Sequence, residues 1–232
     1  MDAPLNLADI RREIDALDAE LRALLLRRAD LVGQVAASKA QSDDGGVLRP
    51  EREAAQMRAL LDWQKEKAPH LAKAGVLAIW REIIGLAIAQ QGGLTIYVSA
   101  AGLAAARGYF GASLTYQESA DARAALKSAA AEKAVAVLAL GEARAPLDGQ
   151  AVFARLPINE KAQALCYGPA APVLQENEAL VPQDGVTALV WREAAQSGDT
   201  VLADLQSGVL VETDKAGADA TWGQYRDLGD GQ

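Results

Sequence analysis

From Ile10 onward apolar residues recur at alternating steps of four and three, at Ile10, Ile14, Leu17, Leu21, Leu24, Leu31 and Val35, with Arg28 in the place the pattern leaves open. This spacing predicts one long amphipathic helix reaching about Lys39, capped by Asn6 or Asp9 and stopped by the turn residues Ser42 to Gly46. At about 1.5 Å per residue such a rod is about 45–50 Å long, too long to bury its own seam, so partner helices are required. Pro50, followed by Glu51 and Glu53, opens a second helix to about Lys67, which Pro69 closes. A third is predicted from about Leu71 to Gln91, with Leu77, Trp80, Ile84, Ala87 and Ile88 on its apolar face. After Gly92-Gly93 the period changes. Short strands at 94–98, 114–116 and 134–140 alternate with helices at 103–109 and 120–133. Further strands are expected at 163–167 and 186–191, then a helix at 200–206 and a strand at 209–212, and residues from Gly217 onward are expected to be poorly ordered. The chain therefore reads as multi-domain, an all-α three-helix module over residues 1–92 followed by an α/β domain over 93–232.

Composition narrows the chemistry. The 232 residues are 50% hydrophobic and 23% charged, with a formal net charge of −8, which argues against nucleic acid or an anionic membrane as a partner. That acidity is uneven: residues 1–92 hold 13 basic against 14 acidic residues, the remainder 10 against 17. One cysteine, Cys166, and one histidine, His70, exclude an intramolecular disulfide and a cysteine-based zinc site and argue against histidine-dependent triads, so neither a metal nor a cofactor is expected. Cys166 reads as a buried strand residue, Trp63 and Trp80 as packing residues, and His70 as part of a solvated turn. The N-terminus lacks a basic, then apolar, leader pattern and no run approaches 18 apolar residues, so a cytoplasmic location is expected.

The polar residues on the first helix's seam carry the functional signal. Arg28 occupies a seam position, and Lys39, eleven residues later, points almost the same way about 16 Å along the axis. Two cations facing a bundle interior require carboxylates, supplied either by the protein, with Glu53 and Asp30 as candidates, or by a ligand. Arg11 lies about 25 Å from Arg28 on the same helix, so one small ligand cannot touch both. For Arg11 to serve the same kind of site it must reach the copy in a second subunit, which antiparallel pairing of two long helices permits.

The segment Leu7 to Lys39, with I-R-x-x-I-D-x-L-D followed by an Arg27-Arg28 pair, resembles the first helix of the all-α chorismate mutases. Arg49-Pro50-Glu51-Arg52-Glu53 is similar to the start of their second helix, and Trp80-Arg81-Glu82-Ile83-Ile84 through Gln91 to their third. The resemblance implies an intertwined homodimer converting chorismate to prephenate for phenylalanine and tyrosine biosynthesis, with sites shared between subunits. By position it implies that Arg28, and Arg11 from the partner, grip the substrate carboxylates, that Lys39 and Gln91 contact the ether oxygen of the breaking bond, that Arg52 assists a carboxylate, and that Glu53 holds the ring hydroxyl. Arg49 and Ala87 stand at two further substrate-contact positions, where some members carry an acidic residue and a serine, and this departure touches the fine tuning of substrate contacts.

A Claisen rearrangement is unimolecular and needs no nucleophile, metal or obligatory general acid, so scarcity of histidine and cysteine is no obstacle. It needs a compact conformer held in place and partial negative charge on the ether oxygen stabilised. Gln91, a neutral amide, donates without first binding a proton, so no acid-only rate optimum is expected. The tail, through Arg107-Gly108-Tyr109-Phe110-Gly111 and Ser119 to Val137, resembles the start of a prephenate dehydratase domain but lacks its Thr-Arg-Phe signature. A dehydratase-derived domain without dehydratase activity is expected. Two alternatives are a bifunctional mutase and dehydratase, or a non-catalytic helical dimerisation module with a ligand-sensing α/β domain. Arg28, Lys39, Arg52, Glu53 and Gln91 all pointing inward would have no use in the latter.

Overall fold

The computed structural model describes residues 6–39, 48–156, 163–169, 186–192, 195–196, 199–205, 208–213 and 220–226. Helix α1 spans Leu7–Lys39, and Asn6 is its cap: its side-chain oxygen accepts the N–H groups of Ala8 and Asp9 at 2.9 and 3.1 Å. Helix α2, Pro50–Lys67, starts with the proline in its first turn and ends with Lys65 and Lys67 at the negative end of its dipole. An exposed turn containing His70 leads to α3, Lys73–Gln90, and Gln64 of α2 steadies that turn by donating to the carbonyls of Ala68 and Leu71. The predicted Ser42 to Gly46 stop lies outside the described residues.

Strand β1, Thr95–Val98, follows the Gly92-Gly93 turn, where both residues have positive φ, +116° and +79°, that a side chain would strain. Next come α4 (Leu103–Phe110), β2 (Thr115–Glu118), α5 (Ala122–Ala131, capped by Asp121) and β3 (Val135–Ala139). Strand β1 lies between β2 and β3, parallel to both, as helical crossovers require. Strands β4 (Gln150–Leu156) and β5 (Ala164–Pro169) extend this into a five-stranded mixed sheet of order β2-β1-β3-β5-β4. Strands β6 (Val186–Arg192), β7 (Thr200–Leu205), β8 (Gly208–Thr213) and β9 (Ala220–Arg226) continue it as β9-β6-β8-β7, joined at β4 through the single partner pair Val152 and Gly223.

Two expectations for the tail are corrected. The helix expected at 200–206 is strand β7, whose backbone groups are taken up by β8 in an antiparallel hairpin, so tertiary pairing overrides the local pattern. The segment from Gly217, expected to lack order, contains β9, which pairs with β4 on one side and β6 on the other. Strand β4 had no counterpart in the sequence reading.

The sheet's alternation sorts its side chains into two cores. Ile96, Val98, Val135, Val137 and Cys166 face the helical module and share one buried cluster with Met57 and Leu60 of α2, Ile84 and Ile88 of α3 and Phe110 of α4. Their neighbours Tyr97, Ala136, Leu138, Leu165 and Tyr167 face the other way, onto Ala125, Leu126 and Ala129 of α5. The apolar core thus runs without a break across Gly92-Gly93. Trp63 on α2 and Trp80 on α3, expected to pack, are 45% and 41% exposed in the single chain, because the buried sides of these helices are the ones carrying Met57 and Leu60, and Arg81, Ile84 and Ile88, toward the sheet domain.

Helices α3 and α4 touch closely enough to need a glycine. A Cβ at Gly85 would stand 2.5 Å from the backbone oxygen of Phe110. Gly85→Ala should force the two helices apart and destabilise the chain by about 1–3 kcal/mol, read as an earlier urea midpoint with unchanged slope. An unchanged midpoint would show that this contact yields freely.

Helix α1 stands apart from this core. Ile14, Leu17, Leu21, Leu24 and Leu31 are between 51% and 63% exposed in the single chain, so the apolar seam read from the sequence exists and lies open.

Candidate active site

Where α1 crosses α3, a cavity of about 380 Å³ opens, lined by Arg22, Leu25, Arg28, Ile83, Ala87 and Gln90 among others. Two contacts fix the crossing: Arg28 Nη1 donates to the Ile83 carbonyl at 3.3 Å and Gln90 Nε2 to the Ala29 carbonyl at 2.9 Å. Arg28 is half-buried, and its pKa is lowered first by that burial and then by the positive charge of Arg52. A cation that loses solvent and faces a second cation is a place where an anionic ligand gains most. The fold therefore brings Arg28, Arg52 and Ala87 into one neighbourhood.

The other predicted residues are distributed as follows. Arg49 and Arg52 are exposed at the start of α2, with Arg49 in the capping position and its carbonyl accepting the Glu53 N–H at 3.0 Å. Lys39 is the last residue of α1, and its side chain lies outside what is described. Arg11 is exposed near the opposite end of that helix, apart from Arg28 within one chain. Gln91 caps α3, its side-chain amide donating to the Ala87 carbonyl at 3.0 Å, while its neighbour Gln90 lines the cavity. Gln90 and Arg22 were missed by the sequence reading. The signal for Gln90 was its place seven residues after Ile83 and three after Ala87, which puts all three on one helical face.

Glu53 is 6% exposed, and its Oε2 accepts from Arg81 Nη1 at 3.1 Å, an ion pair with both side chains buried. Of the two carboxylates named as internal partners for Arg28, Glu53 is thus taken by Arg81, whose role the sequence did not reveal. Burial raises the Glu53 pKa, and the charge and hydrogen bond of Arg81 pull it back only in part.

The fold and site together define a helical domain, with Arg22 and Arg28 in the wall of a largely apolar cavity between α1 and α3, seated on an α/β domain. A family model described as chorismate mutase type II matches residues 10–92, so that segment is similar to the chorismate mutase type II domain. The match covers α1, α2 and α3 and ends at the Gly92-Gly93 turn. No curated protein and no solved structure gives a significant match to the chain. Among the described residues no helix is long and apolar enough to cross a membrane.

Proposed function

We propose that the protein is a homodimeric, cytoplasmic chorismate mutase that converts chorismate to prephenate in the supply of phenylalanine and tyrosine. The observation that carries this reading is the coincidence of the matched domain with the Arg28 and Arg52 neighbourhood at the cavity between α1 and α3. In it, Arg28 and Arg52 bind one side of the dianion and Arg11 of the partner subunit the other. Lys39 and Gln91 stabilise the ether oxygen as negative charge develops there, and Glu53 accepts a hydrogen bond from the ring hydroxyl. Arg49 and Ala87 border the substrate. The open seam of α1 supports the dimer, because Ile14, Leu17, Leu21, Leu24 and Leu31, each more than half exposed along one helix face, form an apolar face left uncovered in the single chain. Gln90 is favoured as a further amide at this site by its position in the cavity wall.

The α/β domain is proposed to be derived from a dehydratase and to lack that activity, since the Thr-Arg-Phe signature is missing from the chain. Incubation of the purified protein with chorismate, following its disappearance together with phenylpyruvate, tests both parts. Chorismate should disappear with no phenylpyruvate formed. No loss of chorismate defeats the mutase reading, and phenylpyruvate formation establishes the bifunctional one.

A further inference from the structure

The ion pair of Glu53 does not end within the helical module. Arg81, 4% exposed, places its guanidinium carbon 3.8 Å from the centroid of the Tyr109 ring, which belongs to α4 of the α/β domain. Tyr109 is itself buried and braced edge-on by Phe110, with ring centroids 4.7 Å apart. Phe110 in turn presses its carbonyl against Gly85, one turn of α3 beyond Arg81. On the other side of Arg81, Glu82 accepts the Ala112 N–H with both oxygens, at 3.0 and 2.9 Å, tying α3 to the chain leaving α4. Among the described residues Arg81 Nη2 has no hydrogen-bond partner, while Nη1 meets the Glu53 carboxylate and the guanidinium lies over the Tyr109 ring. A desolvated arginine stacked on a ring is restrained in plane and position by the ring's quadrupole.

We propose that Arg81 and Tyr109 are positioning residues for the mutase reaction: Tyr109, from the α/β domain, fixes the guanidinium that orients the Glu53 carboxylate. The proposal rests on the reading of Glu53 as a substrate ligand, and it gives the α/β domain a part in the mutase site without any chemistry of its own. The titratable groups that face this cluster are Arg81 from α3, Tyr109 from α4 and Cys166 from β5. Burial pushes the phenol and the thiol upward, so both are neutral at ordinary pH and the charge acting on Glu53 is that of Arg81. Loosening Arg81 removes a stabilising cation from a buried carboxylate, which raises its pKa further. At neutral pH a larger share of Glu53 is then protonated, and the lost rate returns as pH rises.

The test is the pH profile of kcat/KM for chorismate in the full chain, for wild type, Tyr109→Leu, Tyr109→Phe, Glu53→Gln and the double variant Tyr109→Leu with Glu53→Gln. The wild type should show a single acid limb. Tyr109→Leu should move that limb upward by about one pH unit and lower kcat/KM at pH 7 by about tenfold, with recovery toward pH 9. Tyr109→Phe, which keeps the aromatic face, should stay within about twofold of wild type with the limb in place. Glu53→Gln should abolish the limb, and adding Tyr109→Leu to it should cost no further rate, since coupled residues are non-additive. A folded Tyr109→Leu chain with the wild-type limb, or a full additional loss on the Glu53→Gln background, overturns the proposal. If Tyr109→Leu does not fold, Tyr109→Met, which fills the volume without an aromatic face, takes its place under the same criteria. An inactive wild type, or a Glu53→Gln variant with undiminished rate, defeats the underlying reading of the site and is distinguished in this way from failure of the Tyr109 coupling.

Discussion

A Lys39→Ala chain should turn chorismate over at least about a hundredfold more slowly than the wild type while keeping its helical content and unfolding midpoint. The reaction develops negative charge on one ether oxygen, and a fixed cation at that atom acts only in the transition state, so its removal lowers kcat more than it raises KM. A single preorganised donor of this kind is worth about 3–4 kcal/mol in a site shielded from water, and a charged one belongs at the upper end. Stability should change little, because Lys39 is the terminal residue of α1, where a side chain contributes least to helix packing. Turnover of Lys39→Ala within about tenfold of wild type would remove Lys39 from the site.

Breaking the α1 seam should abolish both assembly and activity. Leu21→Asp combined with Leu24→Asp places two carboxylates on a face that is 63% and 60% exposed at those residues in the single chain and that the proposed dimer would cover. Each leucine loses about 2–3 kcal/mol of burial, counted twice by the two-fold symmetry, and each aspartate must be desolvated to remain. The variant should sediment as a monomer and lose measurable chorismate turnover, because without a partner no Arg11 reaches the Arg28 site. Arg11→Ala and Arg28→Ala chains, each inactive alone, should recover about a quarter of wild-type activity when unfolded and refolded together in equal amounts. Half of the dimers are then mixed, and each mixed dimer holds one site with both arginines. A monomeric wild type, or inactive mixtures, would refute the shared site.

Much of the helical module was legible in the sequence because its signals are local. The seam period, Asn6 as a cap, and Pro50 at a first turn each depend on neighbours within a turn or two, and α1, α2 and α3 begin and end within about two residues of the expected places. The strands of the parallel part were legible for the same reason, as apolar runs punctuated by glycine and by alanine-rich helices. The tail beyond Leu156 was harder. The run Thr200 to Leu205 has no pattern that excludes a helix, and it is a strand because β8 pairs with it. Strand β9 exists because β4 and β6 take up its backbone groups from two sides.

The sequence by itself determined which residues carry charge on the α1 seam, that Arg11 and Arg28 lie too far apart for one small ligand, and that the chain holds little nucleophilic or metal-binding chemistry. Those follow from spacing along a helix and from composition, and neither needs to know what packs against what. Only the tertiary structure decided which carboxylate meets which cation. Glu53 and Arg81 are 28 residues apart and on different helices, and Tyr109 belongs to a third element beyond the Gly92-Gly93 turn. Their meeting depends on the Gly85 contact that lets α4 lie against α3 and on a sheet whose one face completes the core of α2 and α3. A buried charge must find its partner wherever the packed elements bring one, and that choice is made by packing.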